Sequence, residues 1–197
     1  MSAAYGARSA LVEVVLGDLT AQHVDAIVNA ANATLLGGGG VNGAIHEAAG
    51  PALLQECRRV RRAAYPDGLP VGRAVATGAG RLPCRFVVHT VGPNWNRGQR
   101  DEADLASCYR ASLTEAVRVG ARSVAFPAVS AGAYGWAGAT VARVAAHTVC
   151  RAPERADLEL IRFVLLGEPL YSQFVTAVHG ASVGPDGTGA PATDPHE

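Results

Sequence analysis

Residues 28–50 read VNAANATLLGGGGVNGAIHEAAG, and this order governs how the rest of the chain is read. The apolar run Asp25-Ala26-Ile27-Val28 meets two asparagines, Asn29 and Asn32, then four glycines, Gly37 to Gly40, then a helical pattern opening near Asn42. Glycine lets a backbone take positive φ and approach a ligand with no Cβ in the way. A helix start behind it aims free N–H groups and a positive dipole end at an incoming anion. The ligand implied is a phosphate or pyrophosphate. Glycine runs also serve as flexible linkers, but linkers sit among serines and other polar residues. Here the flanks are Leu35-Leu36 and Val41, which favour burial.

Gly38, Gly40 and Gly43 also satisfy G-x-G-x-x-G. A dinucleotide-binding Rossmann turn needs its first glycine directly after a strand, and an acid about 20 residues later at the end of the next strand. Residues 29–36 intervene here, and Glu56, at about the right distance, lies in a helical pattern. No lysine follows Gly43, which excludes a P-loop.

Upstream of the glycines, residues 1–9 read as a loose arm, and Leu-Val-Glu-Val-Val-Leu after Ala10 reads as a strand ending in Gly17-Asp18-Leu19-Thr20. Asp18 is either a cap for the turn, which composition favours, or a strand-end acid able to accept from the exocyclic amine of a base. Val24 to Ala30 is too apolar to alternate and predicts a strand buried on both faces. Downstream, Ile45, Ala49, Leu53, Cys57 and Val60 form a helical core stripe with a kink at Gly50-Pro51, and Asn42 and His46 share one face at its start. Arginines 58, 59, 61 and 62 read as a solvated helix end, with a polyanion patch as the minority reading.

Strands follow at 74–78 and 86–91, the second enclosing His89, which reads as a core histidine. A helix over 101–119 leads to a strand at 123–127 and to a second glycine-bearing loop, Ser130-Ala131-Gly132-Ala133-Tyr134-Gly135-Trp136. In that loop Tyr134 and Trp136 read as walls for a sugar or base rather than as core. A helix over 138–150, a strand over 159–166 and a helix over 171–178 complete the domain, and the Gly- and Pro-rich segment 180–197 predicts a disordered tail. Alternating strands and helices predict an α/β fold of three layers. Both glycine loops follow strands, so both belong at the carboxyl edge of the sheet, where such folds bind ligands.

Basic and acidic residues balance at 17 each, so no global field recruits nucleic acid or an anionic membrane. No apolar run approaches the roughly 20 residues that cross a bilayer, and MSAAYGARSA carries no apolar signal core. A cytoplasmic protein is expected. Cys57, Cys84, Cys108 and Cys150 are scattered singly, which predicts reduced thiols and no metal or disulfide.

These motifs resemble the macrodomain family, in its MacroD-type branch. The likeness rests on Gly17 to Thr20, Val28 to Asn32, Leu36 to Val41 with Gly43-Ala44-Ile45-His46, His89 to Pro93, and Ser130 to Trp136, and it spans residues 10–178. The resemblance implies a three-layer α/β/α sandwich around a mixed, mostly parallel sheet over residues 10–179, binding ADP-ribose; no cofactor is expected, and nothing in the sequence demands more than a monomer. It implies that Asp18 bonds the adenine amine with Leu19 beside it, that Leu166 stands where relatives place an aromatic against adenine, and that Ala30 and Asn32 meet the distal ribose. Gly38, Gly39, Gly40 and Val41 would wrap that ribose and the pyrophosphate. Ser130, Ala131, Gly132, Ala133 and Tyr134 would cradle the phosphates, with Trp136 near the distal ribose.

Members of this branch cleave the ester between ADP-ribose and an acidic side chain and deacetylate O-acetyl-ADP-ribose. Their glycine loop reads GGGGVDG, whereas this chain has Asn42 in place of the aspartate. An amide orients a water but has no useful basicity. The catalytic set implied is Asn32, Asn42 and His46, working slowly with help from the ligand's phosphate. The expected partners are ADP-ribose and ADP-ribosylated proteins, with ADP-ribosylated nucleic-acid ends left open. A reader that binds ADP-ribose without cleaving it is the alternative, and a nucleotide-cofactor oxidoreductase a distant third.

Overall fold

The computed structural model describes residues 10–182. In chain order these form β1 (Leu11–Leu16), β2 (Ala26–Ala31), α1 (Gly40–Ala49), α2 (Pro51–Ala64), β3 (Ala74–Gly78), β4 (Phe86–Val91), α3 (Glu102–Arg118), β5 (Ser123–Phe126), α4 (Gly138–Cys150), β6 (Leu160–Leu165) and α5 (Glu168–Ser182). One sheet runs in the order β1-β6-β5-β2-β4-β3, parallel throughout except where β3 lies antiparallel against β4. Helices cover both faces, giving the expected three-layer sandwich.

The layering follows from the alternation of side chains along each strand. In β2, Ala26 and Val28 join the core beneath α3, α4 and α5, whereas Ile27 and Ala31 join the core beneath α1 and α2. Because both faces are covered, β2 reads as a continuous apolar run. Asn29 interrupts that run and is nonetheless fully buried.

β2 is where the chain reverses its direction of growth across the sheet: β4 and β3 lie to one side, β5 to the other. Asp25 ties the base of β2 to β5, its Oδ2 accepting from the backbone N–H of Arg122 at 2.8 Å and from the N–H and hydroxyl of Ser123 at 3.0 Å. Only Ala26 and Ile27 of β2 pair with β5. Beyond them the two strands part, and the gap opens at their carboxyl ends, where ligands bind in folds of this kind.

Most element boundaries depart from the sequence-based ones by a residue or two. The expected kink at Gly50-Pro51 is a full break: Gly50 takes φ 75° and ends α1, and Pro51 occupies the first turn of α2, where its missing N–H is harmless. α5 is longer than the predicted 171–178. Pro169 lies in its first turn, and the helix passes through Gly180 to Ser182, whose hydroxyl donates to the Val178 carbonyl at 2.9 Å. Residues 180–182 are thus helical, because one glycine costs a helix only about 1 kcal/mol. The predicted arm at 1–9 and the rest of the predicted tail, 183–197, lie outside the described residues.

Candidate functional site

The chain leaving β2 folds back on itself at Asn32. Asn32 Oδ1 accepts from the N–H and hydroxyl of Thr34, at 3.1 and 2.6 Å, while Nδ2 donates to the Gly37 carbonyl at 2.7 Å. Leu35 is buried as its composition implies, but Leu36 is 45% exposed, because the turn closed by Asn32 points the two leucines apart. Gly37 and Gly40 take φ of 87° and 60°, so the glycines do supply the positive φ expected of them. Gly43 serves by its missing side chain: a Cβ there would lie 2.5 Å from the Gly38 carbonyl oxygen. The glycine loop therefore rests directly on the first turn of α1. No side chain caps that turn, leaving its N–H groups for a ligand.

The second wall leaves β5. The Val129 N–H donates to the Tyr109 hydroxyl of α3 at 3.1 Å, and Ser130 is held at φ 70°, a region that L residues rarely adopt. The loop closes through Trp136 N–H to Ser130 carbonyl at 3.2 Å, and the Trp95 N–H holds the Tyr134 carbonyl at 2.9 Å.

Between the walls lies a cleft of about 270 Å³ lined by residues 30–32, 39–42, 92, 128–130 and 132–134. Of the residues expected at the site, it brings together Ala30, Asn32, Gly39, Gly40, Val41, Asn42, Ser130, Gly132, Ala133 and Tyr134. No charged side chain lines it, so an anion here is met by backbone N–H groups and the helix dipole. A larger groove of about 580 Å³ separates α4 and α5, shares no lining residue with the cleft, and is walled by Arg143, His147 and Arg151 with Ser172, Gln173, Thr176 and small residues of α5.

Other expected residues stand elsewhere. Trp136 is 3% exposed, belongs to the core and meets Trp95 edge to face at 5.3 Å, so Tyr134 is the loop aromatic that faces the cleft. His46 shares the face of α1 with Asn42, yet its ring packs under Gly37 and does not line the cleft; burial lowers its pKa. Gly38 and Ala131 flank lining residues without lining the cleft themselves. Asp18 caps the short turn Leu19–Ala21 by accepting from the N–H and hydroxyl of Thr20, both at 2.8 Å. Leu19 is buried, and Leu166 is 84% exposed just past β6. Asp18 and Leu166 thus occupy the same sheet edge as the cleft, beyond its β5 side.

Asn29 and His89 stand side by side in register behind the cleft and are both fully buried. Asn29 Nδ2 donates to Asn42 Oδ1 at 2.9 Å and lies 3.1 Å from His89 Nδ1; Thr77 Oγ1 is 2.9 Å from His89 Nε2. Desolvation, and then the positive charge His46 would carry, push the His89 pKa down to about 3. From the sequence alone His89 reads as core and Asn29 has no assigned role. The available signal was two polar residues in adjacent, otherwise apolar strands.

A family model described as Macro domain matches residues 28–145. A macro domain-containing protein of Streptomyces nogalater is 53% identical over 163 residues, covering 83% of this chain and 89% of the relative. A protein of Citrobacter rodentium named O-acetyl-ADP-ribose deacetylase is 48% identical over 170 residues, covering 84% of this chain and 95% of the relative. Among solved structures, the Oceanobacillus iheyensis macrodomain with ADP superposes with a TM-score of 0.83 at 39% identity, covering 89% of this chain and 94% of that one.

Proposed function

The chain belongs to the macrodomain family, and on that premise we propose that it binds ADP-ribose in the cleft between β2 and β5 and hydrolyses esters at the distal ribose. The substrates proposed are O-acetyl-ADP-ribose, giving acetate and ADP-ribose, and proteins modified with ADP-ribose on acidic side chains. The observation that carries this is the lining of the cleft: two glycine-bearing loops with free N–H groups, two asparagine amides at one end, and no charged side chain. Such a wall suits a diphosphate whose charge is spread over several N–H donors. The named deacetylase and the ADP-bound relative support the assignment.

In this reading the diphosphate lies between residues 38–42 and 130–134, adenine extends toward Asp18 and Leu166, and the distal ribose meets Asn32 and Tyr134. Asn42 orients the attacking water without taking its proton, so a phosphate oxygen of the ligand is the base. Replacing a side-chain base in this way slows hydrolysis by about 10²- to 10⁴-fold. The scattered free cysteines support a reducing, cytoplasmic setting, and a monomer suffices for the site. Among the described residues no helix is long and apolar enough to cross a membrane.

Release of ADP-ribose from O-acetyl-ADP-ribose and from a glutamate-modified protein tests the proposal. Slow, enzyme-dependent release of either is expected, and no turnover above buffer at micromolar enzyme would overturn it. Asn42 favours a second reading, a reader that binds without cleaving; tight calorimetric binding with the modified protein left intact would select that reading.

A further inference from the structure

His89 is hemmed in on every side. Asn29 of β2 and Thr77 of β3 flank its two ring nitrogens, Cys57 of α2 brings its sulfur to 3.6 Å from Nε2, and the His46 ring of α1 is centred 6.4 Å away. Burial keeps the ring neutral, and a neutral imidazole has one donor and one acceptor. Its neighbours decide which is which. Asn29 Nδ2 can only donate, so Nδ1 accepts and Nε2 carries the hydrogen. Nε2–H then donates to Thr77 Oγ1, whose own proton goes to the Gly78 carbonyl at 3.0 Å. The opposite tautomer would set Nδ1–H against the Asn29 N–H₂ group, donor against donor at 3.1 Å.

The second Asn29 hydrogen goes to Asn42 Oδ1. That carbonyl is therefore taken up inside the protein, while Nδ2 has no partner among the described residues and is not sealed from solvent, so it is the Asn42 polar atom left to the cleft that Asn42 lines, with Asn32 Nδ2 close by. Asn29 holds this orientation even though its own Oδ1 is left buried without a partner, an arrangement that a structural core would not favour.

We infer that Thr77, His89 and Asn29 are positioning residues that turn Asn42 so that its amide N–H₂, and not its carbonyl, faces the cleft. Asn42 is consequently a donor: it holds an acceptor oxygen of the distal sugar or of the water, and it has no lone pair there with which to draw a proton. The same chain accommodates an aspartate without rearrangement, one oxygen accepting from Asn29 and the other turned outward. An aspartate at 42 thus exchanges a donor for an acceptor at a single point. This inference rests on reading the cleft as the ribose site, but its test reads hydrogen positions and needs no turnover.

The test is long-range ¹H–¹⁵N correlation of the histidine rings in the intact ¹⁵N-labelled protein between pH 6 and 8. His89 is expected as the neutral Nε2–H tautomer throughout, with Asn42→Asp leaving that tautomer unchanged. An Nδ1–H tautomer, or an imidazolium appearing near pH 6, would overturn the inference. Thr77→Val removes the acceptor of Nε2–H and is expected to shift the tautomer balance and the Asn29 side-chain amide signals, whereas Thr77→Ser restores both. Unchanged His89 signals in a folded Thr77→Val protein would equally contradict it, and if that variant does not fold, the spectrum of the unsubstituted protein decides. Added ADP-ribose is expected to shift the Asn42 side-chain amide protons downfield. Absence of any ADP-ribose binding would sink the proposed function while leaving the tautomer result to stand or fall separately.

Discussion

Gly43→Ala offers a sharp test of how the first loop is built. In an ordinary helix the change stabilises by about 1 kcal/mol, since alanine is the better helix former. Here the new Cβ would lie 2.5 Å from the Gly38 carbonyl oxygen, where ordinary contact begins at 3.4 Å, so the carbonyl must retreat by about 0.9 Å. Gly38 is flanked by residues 37 and 39–41, and the last three line the cleft, so the retreat carries their N–H groups with it. A hydrogen bond to a charged group contributes about 1.5–3 kcal/mol, and losing the geometry of one weakens binding by about 10- to 100-fold. The strain opposes the helix-propensity gain, so Tm should not rise as it would at an unhindered helical glycine. Calorimetric titration with ADP-ribose, paired with a melting curve, measures both quantities, and Ala44→Ser on the exposed face of α1 is the control expected to alter neither. Affinity within twofold of the unsubstituted protein would refute the reasoning, whatever the melting curve shows.

Asn42→Asp should hydrolyse faster with little change in ADP-ribose affinity; equal rates would remove residue 42 from the chemistry. Tyr109→Phe leaves the buried Val129 N–H without its acceptor, which costs about 1–3 kcal/mol, so Tm should fall and ADP-ribose binding weaken as the second loop loosens. A lower Tm with unchanged binding would separate Tyr109 from the site. The pH dependence of stability follows from His89, whose pKa is about 3 in the fold against an ordinary 6.5. Between those values the unfolded chain binds a proton that the folded chain refuses, so the stability is complete above pH 6.5 and is lost as pH falls toward 3. At pH 4.5 the loss from this group is about 3 kcal/mol, or roughly 6–12 °C in Tm for a domain of this size. Melting curves of the protein and of His89→Asn across this range should differ in slope, and parallel curves would contradict the assignment.

The fold was legible because its signals are local. β2 announces itself as an unbroken apolar run, Gly50-Pro51 marks a helix boundary, and each glycine loop follows a strand and precedes a helix. The cleft was legible to the same extent, since both its walls are made from these loops. What escaped sequence reading depends on distance in the chain. The hydrogen bond from Asn29 to Asn42 spans 13 residues and its contact with His89 spans 60, so neither leaves a periodic trace. Trp136 was misjudged because glycine neighbours suggested an open loop, whereas the ring turns inward onto Trp95 and the core. His46 was placed correctly on the face of α1, but helical spacing carries no information about the glycine loop that covers it.

The claim on which the rest depends is that the two loops close on a diphosphate. A crystal of the protein soaked with ADP-ribose addresses it directly. Density for the diphosphate should lie between residues 38–42 and 130–134, with adenine on the side of Asp18 and the distal ribose against Asn32 and Asn42. Density in the groove between α4 and α5 instead, or an empty cleft at saturating ligand, would contradict the account.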